Sequence, residues 1–328
     1  MDNIKVSVIC LTYNHQKYIR QCLESLVNQE TEFDYEIIVH DDASIDNTAD
    51  IVREFEKQYP EKIIAIYQTE NQYSKKVKIV RNYIFPIVRG KYIAYCEGDD
   101  FWTDNHKLQI QFDAMEKNNK LRFCVHRVLT CDESGTAANT FFPESFSGTQ
   151  IIDSYDFITA ICGSWEFQLT SFFIRYEDFR RLYLTQPHFF EISPAGDIAF
   201  MMYYGNLGDI LFIEKAMSCY RLNSIGSWTT RNRDSDNKKR IEIQNRFIDT
   251  WLEFDKYSCY KYHDSILKGI EFYYFNIYKF SSNYKRMSRE CKNFLRKRSN
   301  KIRAYVFLSA YLPFFPRLVK KIFGRNPL

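Results

Sequence analysis

The chain opens with apolar runs that alternate with helical stripes. Lys5 to Leu11 is nearly continuous and β-branched, the pattern of a strand buried on both faces of a parallel sheet. Thr12-Tyr13-Asn14 ends that run, and Ile19, Cys22, Leu23, Leu26 and Val27 then recur at helical spacing with Gln16, Lys17, Arg20 and Glu24 outside the stripe. Tyr35 to Val39 predicts a second strand, closed by His40-Asp41-Asp42-Ala43-Ser44. A second helix, marked by Ile51, Val52, Phe55 and Tyr59, follows the capping-type residues Asp46, Asn47 and Thr48. Ile63 to Tyr67 predicts a third strand, and Ser74 to Val88 a helix or irregular crossover carrying Lys75, Lys76, Lys78 and Arg81. A fourth apolar run begins at Tyr92 and stops at Glu97-Gly98-Asp99-Asp100. Such alternation predicts an α/β fold with a Rossmann-like, mostly parallel sheet flanked by helices, in which ligands sit beyond the carboxyl ends of the strands. Thr12 to Asn14, Asp41 to Ser44 and Glu97 to Asp100 each close a strand, so one rim should collect them.

Composition narrows the picture. A length of 328 residues allows one large domain or two ordinary ones, and 24 Tyr with 28 Phe suit aromatic cores or surfaces that hold ring-shaped ligands. Nine cysteines without C-x-x-C spacing argue against a disulfide framework and a structural zinc site, and fit a reduced, cytosolic compartment. The polar start predicts no signal peptide, and no apolar run reaches the roughly 18 residues of a membrane span. Charge is split: residues 1 to 225 carry 22 Lys and Arg against 32 Asp and Glu, and residues 226 to 328 carry 23 against 9. The basic tail implies an anionic partner, either a lipid surface or nucleic acid.

Three carboxylates in the four residues Glu97 to Asp100 repel one another unless a cation sits among them. Magnesium and manganese take carboxylate oxygens and fill their open positions with substrate phosphates. The alternative is a solvated acidic turn. No G-x-G-x-x-G and no Walker A sequence is present, so a nucleotide diphosphate would need a metal, helped by the lysines of the crossover and Arg81.

Three ordered segments, Val6 to Asn14, Ile37 to Thr48 and Gly90 to Trp102, resemble the family 2 glycosyltransferases of the GT-A fold, inverting enzymes of bacterial surface-polysaccharide type. The resemblance runs firmly to about residue 125 and loosely to about 225. It implies that Thr12, Asn14, Asp41 and Asp42 belong to the nucleoside site and that Arg81-Asn82 faces the donor. Glu97-Gly98-Asp99 stands for the family's D-x-D motif, with Asp100 beside it. Asp99 is the expected direct ligand of a divalent cation, manganese or magnesium, and Glu97 departs from the usual Asp. Ala195 to Phe200 resembles the helix that carries the catalytic base, which makes Asp197 the candidate; an N-cap role for that Asp is compatible. Glu166 is the second candidate base, and its neighbour Trp165 is expected near the acceptor. Met217 to Trp228 resembles the loop that closes over the donor; Arg221 belongs to it, and Asn223 replaces the family's His. His40, His106 and His126 stand isolated and read as structural or surface residues.

From residue 229 the pattern turns helical, with aromatic clusters such as Phe272 to Phe275 between basic stretches such as Arg296-Lys297-Arg298. Aromatics mixed with Lys and Arg fit a helix in a membrane interface, and equally a helical cap with a solvated basic face. Nucleic acid is not expected as a partner, because no recognised binding module is visible. The expected organisation is a catalytic domain over 1–228, divided into a nucleotide-sugar half (1–125) and an acceptor half (126–228), followed by a basic helical region over 229–328. The expected protein moves a sugar from a nucleotide diphosphate sugar, UDP by family habit, to a lipid-linked glycan, and works in the cytoplasm at the inner face of the membrane. A nucleotide-sugar-binding scaffold without activity stays open because of Glu97 and Asn223. A sugar nucleotidyltransferase is the third reading, disfavoured because Thr12 to His15 is not the Gly-rich basic loop it needs.

Overall fold

The computed structural model describes residues 4–164, 166–224, 227–312 and 314–323, with the side chains of Asn139 and Phe323 excepted. The chain divides into two compact units. The first takes residues up to 157 with 165–186 and 203–230, and the second takes 158–164, 187–202 and 231–328.

The first unit is built on β1 (Ile4–Thr12), α1 (Ile19–Val27), β2 (Asp34–Asp41), α2 (Thr48–Gln58), β3 (Ile63–Tyr67) and β4 (Tyr92–Tyr95). After the acidic loop come β5 (Phe101–Trp102), α3 (Lys107–Lys117), β6 (Phe123–Cys131), β7 (Ala137–Phe142), β8 (Gln150–Ile152), β9 (Phe173–Arg175), α5 (Tyr176–Thr185) and β10 (Ile210–Arg221). Three helices, α4 (Ser154–Ile161), α7 (Gly196–Leu207) and α8 (Trp228–Arg233), carry the chain from one unit to the other. One ten-stranded sheet has the order β3-β2-β1-β4-β9-β6-β10-β5, with β7 beside β6 and β8 beside β10.

The alternation in the sequence accounts for the first four strands, which run parallel. Val6, Val8, Ile9 and Cys10 of β1 and Ile37 to Val39 of β2 are fully buried, as a strand covered on both faces requires. The α1 stripe is the expected one: Ile19, Cys22, Leu23, Leu26 and Val27 all face the core. Asp46 precedes the Asn47 N-cap of α2, and its carboxylate accepts from Thr48 N–H at 3.0 Å, which turns the chain into the helix. The crossover before β4 is irregular, with turns through residue 77, a π-turn at Val80–Ile84 and a 3-10 turn at Phe85–Ile87. β9 lies antiparallel between β4 and β6, while β6 and β10 run parallel.

A buried carboxylate fastens the sheet where this crossover ends. Glu36 of β2 has no exposed surface and accepts from Ser7 Oγ (2.5 Å), Arg89 N (2.9 Å) and Arg89 Nε (2.6 Å). Ser7 Oγ in turn accepts from Gly90 N–H at 2.9 Å. A Cβ at Gly90 would come within 2.4 Å of Ser7 N, so only glycine lets the chain pass this close to β1.

In the second unit, α6 (His188–Ile192) and α9 (Asn237–Tyr257) pack together, Phe189 meeting Phe254 at 5.2 Å and Arg246 donating to the Ile192 carbonyl. Asp236 caps α9 through a bond from Lys239 N–H. The polar stretch 231–239 is therefore mostly helical: α8 (Trp228–Arg233) ends within it and α9 begins there. The remaining helices are α10 (His263–Gly269), α11 (Glu271–Phe280), α12 (Tyr284–Glu290), α13 (Lys292–Arg296), α14 (Asn300–Tyr311) and α15 (Phe315–Phe323). Tyr278, Met287, Cys291, Tyr305, Val306 and Val319 are members of one core among α11 to α15. Among the described residues no helix is long and apolar enough to cross a membrane.

Removing the Glu36 carboxylate leaves the Ser7 hydroxyl and the Arg89 amide without their acceptor. Glu36→Ala is expected to lower the unfolding free energy by about 2–4 kcal/mol. The exposed Arg20–Glu54 pair serves as reference, and Glu54→Ala should cost far less, because water screens that pair. Urea titrations of the two variants check the contrast.

Candidate functional site

The first unit draws the loops that follow β1, β2 and β4 together by backbone hydrogen bonds. Asp42 N–H donates to the Thr12 carbonyl at 3.0 Å, and Gly98 N–H donates to the Leu11 carbonyl at 2.9 Å. Asn14 laces the first two loops, its N–H donating to Ser44 Oγ and its side-chain oxygen accepting from Ile45 N–H, both at 2.9 Å. Asn14 and Ala43 adopt left-handed backbone, with φ of 57° and 61°, which turns both loops sharply. Gly98 lies against the end of β1, where a Cβ would meet Thr12 Oγ1 at 2.6 Å and His15 Nδ1 at 2.9 Å. The small residue between Glu97 and Asp99 is what lets the acidic loop reach this rim. Thr12 Oγ1 and His15 Nδ1 are buried with no hydrogen-bond partner among the described residues, so each can engage a bound group.

The acids differ in what they do. Asp41 accepts from Ser44 N–H and Ser44 Oγ, which shapes its own loop. Asp42 is buried and holds the segment beyond β3, its two oxygens accepting from Gln72 N–H (2.8 Å) and Tyr73 N–H (3.0 Å). Asp100 is buried and accepts from Arg221 N–H at 2.9 Å. Burial first, and then the neighbouring Asp99, push its carboxyl well above the usual range. Glu97 and Asp99 are partly exposed on the same loop. Asp99 Oδ2 accepts from Ser224 Oγ at 2.6 Å.

Arg221, at the end of β10, is 2% exposed and stabilises the acidic loop from beneath. Its Nε donates to the Asp99 carbonyl, Nη1 to the Asp132 and Glu133 carbonyls, and Nη2 to the Gln21 side chain. The guanidinium also sits over Tyr18 at 4.7 Å and Phe101 at 5.4 Å. Each of the three guanidinium nitrogens thus donates to a protein acceptor, so Arg221 positions the loop. Neither this role nor that of Ser224 is visible in sequence spacing, since Ser224 and Asp99 stand 125 residues apart.

The remaining candidates have settings of their own. Arg81 is exposed on the π-turn of the crossover. Glu166 accepts from Ser145 Oγ at 2.8 Å, on the loop after β7. Trp165 lies outside the described residues, as do Ile225 and Gly226 of the expected donor-closing loop. Asp197 belongs to the second unit, in the first turn of α7, where its Oδ1 accepts from Ile198 N–H at 2.8 Å. Burial pushes its carboxyl up to about 6. Ile198 to Met202 behind it are core. His40 and His126 are buried, and burial lowers both imidazoles, while His106 is exposed near Glu30.

Among the described residues no group of three or more His, Cys, Asp and Glu side chains is arranged to hold a metal ion. The donor set still fits a magnesium or manganese ion that takes its other ligands from a diphosphate. Such ions need only one or two protein carboxylates, and Glu97 and Asp99 provide two beside the orphaned Thr12 hydroxyl. Asp100, buried and turned to Arg221 N–H, is not part of that pair.

The profile of glycosyl transferase family 2 matches residues 7–177, just over half of the 328. An uncharacterized protein of Mycobacterium tuberculosis is 29% identical over 235 residues, which cover 70% of this chain and 62% of that protein. The chain therefore spans less than two thirds of the length of its mycobacterial relatives. The UDP-Glc:alpha-D-GlcNAc-diphosphoundecaprenol beta-1,3-glucosyltransferase WfgD of Escherichia coli is 35% identical over 119 residues, 36% of this chain and 44% of WfgD. Among solved structures, residues 1–349 of TarS from S. aureus, in complex with UDP-GlcNAc, superpose with a TM-score of 0.62 at 15% identity, over 99% of this chain and 93% of that one. That likeness gives the fold, the GT-A arrangement with a helical C-terminal region. Because the profile covers more than half of the chain and contains the loops after β1, β2 and β4, this protein belongs to the family 2 glycosyltransferases.

Proposed function

We propose that this protein is an inverting, metal-dependent glycosyltransferase that moves a sugar from a UDP-sugar to a hydroxyl of a lipid-linked glycan in surface-polysaccharide synthesis. The observation that carries the reading is the junction of the β1, β2 and β4 loops, where Gly98, between Glu97 and Asp99, lies against the unpartnered Thr12 hydroxyl. Support for the donor comes from the UDP-GlcNAc held by TarS, and support for the acceptor from the diphosphoundecaprenol-linked substrate in the name of WfgD.

In this reading residues 1–228 form the catalytic domain and 229–328 a helical region that keeps the enzyme at the cytoplasmic face of a membrane. Thr12, Asn14, Asp41 and Asp42 frame the nucleoside pocket, Arg81 adds positive charge toward the donor, and Trp165 and Glu166 serve the acceptor side. Glu97 and Asp99 hold the divalent cation, which when bound neutralises charge on the leaving diphosphate. Arg221 and Ser224 keep the acidic loop in place without touching substrate. The acceptor hydroxyl attacks the anomeric carbon from the face opposite the diphosphate. Asp197 takes its proton as the new glycosidic bond forms and the bond to the nucleoside diphosphate breaks. A carboxyl raised to about 6 is still ionised at neutral pH, yet it is a stronger base than an exposed Asp.

A panel of UDP-, GDP- and dTDP-sugars, assayed for nucleotide release with manganese or magnesium against chelator, tests the proposal. Release should be confined to UDP-sugars and stop with chelator; release insensitive to chelator would refute metal dependence. Asp99→Asn should lower kcat/KM about 100-fold or more, since a lost ligand forfeits several kcal/mol of charge stabilisation. Asp100→Asn keeps the oxygen that accepts from Arg221 N–H and should stay within about threefold of the parent. Asp197→Asn should cut kcat by roughly 10²–10⁴-fold with little change in donor KM. The base works only when ionised, so the parent rate should fall about tenfold per pH unit below about 6 and level off above it. The Asp197→Asn residual rate should lose that slope.

A further inference from the structure

The last two helices leave apolar side chains exposed among the described residues. Fifteen large hydrophobic side chains are strongly exposed among the described residues, and six of them, Phe307, Tyr311, Leu312, Phe314, Leu318 and Ile322, fall within 307–322. In α14 the inner arc, Tyr305, Val306 and Ser309, is buried, while Phe307 and Tyr311 meet on the outside as a tilted pair with ring centroids 4.9 Å apart. In α15 the apolar arc is wider than its contact. Phe315 and Val319 pack into the core, and Phe314, Leu318 and Ile322, four residues apart on the adjoining edge, are 44% to 61% exposed. Helical spacing puts Arg317 and Lys321 along the outer border of that edge.

The charge around this surface has one sign. From Cys291 to the C-terminus the sequence contains ten Lys and Arg and no Asp or Glu. A solvated face has no need of aliphatic and aromatic side chains in a row. A second copy of the chain would bring like charge against like, and nucleic acid offers nothing to Leu318 and Ile322. An anionic bilayer satisfies both features, since the interface takes up the apolar edge and its headgroups attract the cations.

We propose that the α14–α15 surface is a peripheral membrane-docking site for anionic lipid, with Phe314, Leu318 and Ile322 entering the interface and Arg317, Lys320 and Lys321 facing the headgroups. The site rests on the reading of 229–328 as a membrane-held region and gives it a surface and a lipid class; it is separable from the transfer chemistry, because nucleotide release from a soluble donor needs no bilayer.

The test is co-sedimentation of the full chain with phosphatidylcholine vesicles, with and without about a third phosphatidylglycerol, at low and high salt. The parent protein is expected to partition at least tenfold more strongly onto the anionic vesicles, and less so at high salt. Lys320→Glu/Lys321→Glu should lower that partition at least tenfold, as two reversed charges predict. Leu318→Ser/Ile322→Ser should lower it comparably, and Leu267→Ser, an exposed position on α10, should leave it unchanged. The proposal is overturned if the parent protein stays in the supernatant with anionic vesicles, or if the charge-reversed variant binds as well as the parent. It is also overturned if the parent forms a dimer that Leu318→Ser/Ile322→Ser dissolves while no vesicle is bound. Donor hydrolysis by the same samples reports separately on the transferase.

Discussion

The buried guanidinium of Arg221 is the interaction on which the candidate site rests. A cation taken out of water is costly unless its donors are met, and this one reaches four acceptors on three separate stretches of chain. Those acceptors are the backbone of the acidic loop, the β6–β7 turn and the side chain of α1. The amide of the same residue holds Asp100, so one position at the end of β10 orders a loop that begins more than a hundred residues earlier. The strand that places Arg221 is paired in parallel with β6 and in antiparallel with β5, which fixes its register from both sides. Like-charge repulsion within the loop is thereby borne by a rigid support, and Glu97 and Asp99 remain on its partly open side.

Local signals carried the first half of the fold. The period of apolar residues in β1, α1, β2 and α2 reports burial directly, and the polar ends of the strands mark where parallel sheets collect their ligands. β9 was not legible because three residues wedged between two longer strands leave no periodic trace. The crossover before β4 was ambiguous for a physical reason: its backbone mixes turns, a π-turn and a 3-10 turn, none with the period of a regular helix. Long-range partnerships were equally silent. Glu36 with Ser7 and Arg89, and Asp99 with Ser224, depend on which strands become neighbours, which no local pattern encodes.

The aromatic richness of the sequence finds its main use in the cores. In the first unit Phe123 packs edge-on against Phe157 and Phe172. In the second, Trp251 donates to the buried Tyr273 hydroxyl and Phe254 stacks on Tyr262. Rings of this kind bury large areas with few rotatable bonds, which suits a unit made of short helices. Only toward the C-terminus do the aromatics turn outward in number.

The division of the chain between the two units bears on the order in which a ribosome can complete them. The parallel strands β1 to β4 and their helices are contiguous and finish early. Segments 158–164 and 187–202 are made next, yet their unit is completed only by residues 231–328. Until those emerge, Phe189, buried in the finished protein, lacks Phe254 and Tyr257 of α9, the rings it packs on. A nascent chain halted near residue 230 would thus hold nearly all of its sheet while carrying two apolar stretches in search of cover. The interval in which this protein most needs a chaperone is set by the placement of these two short segments.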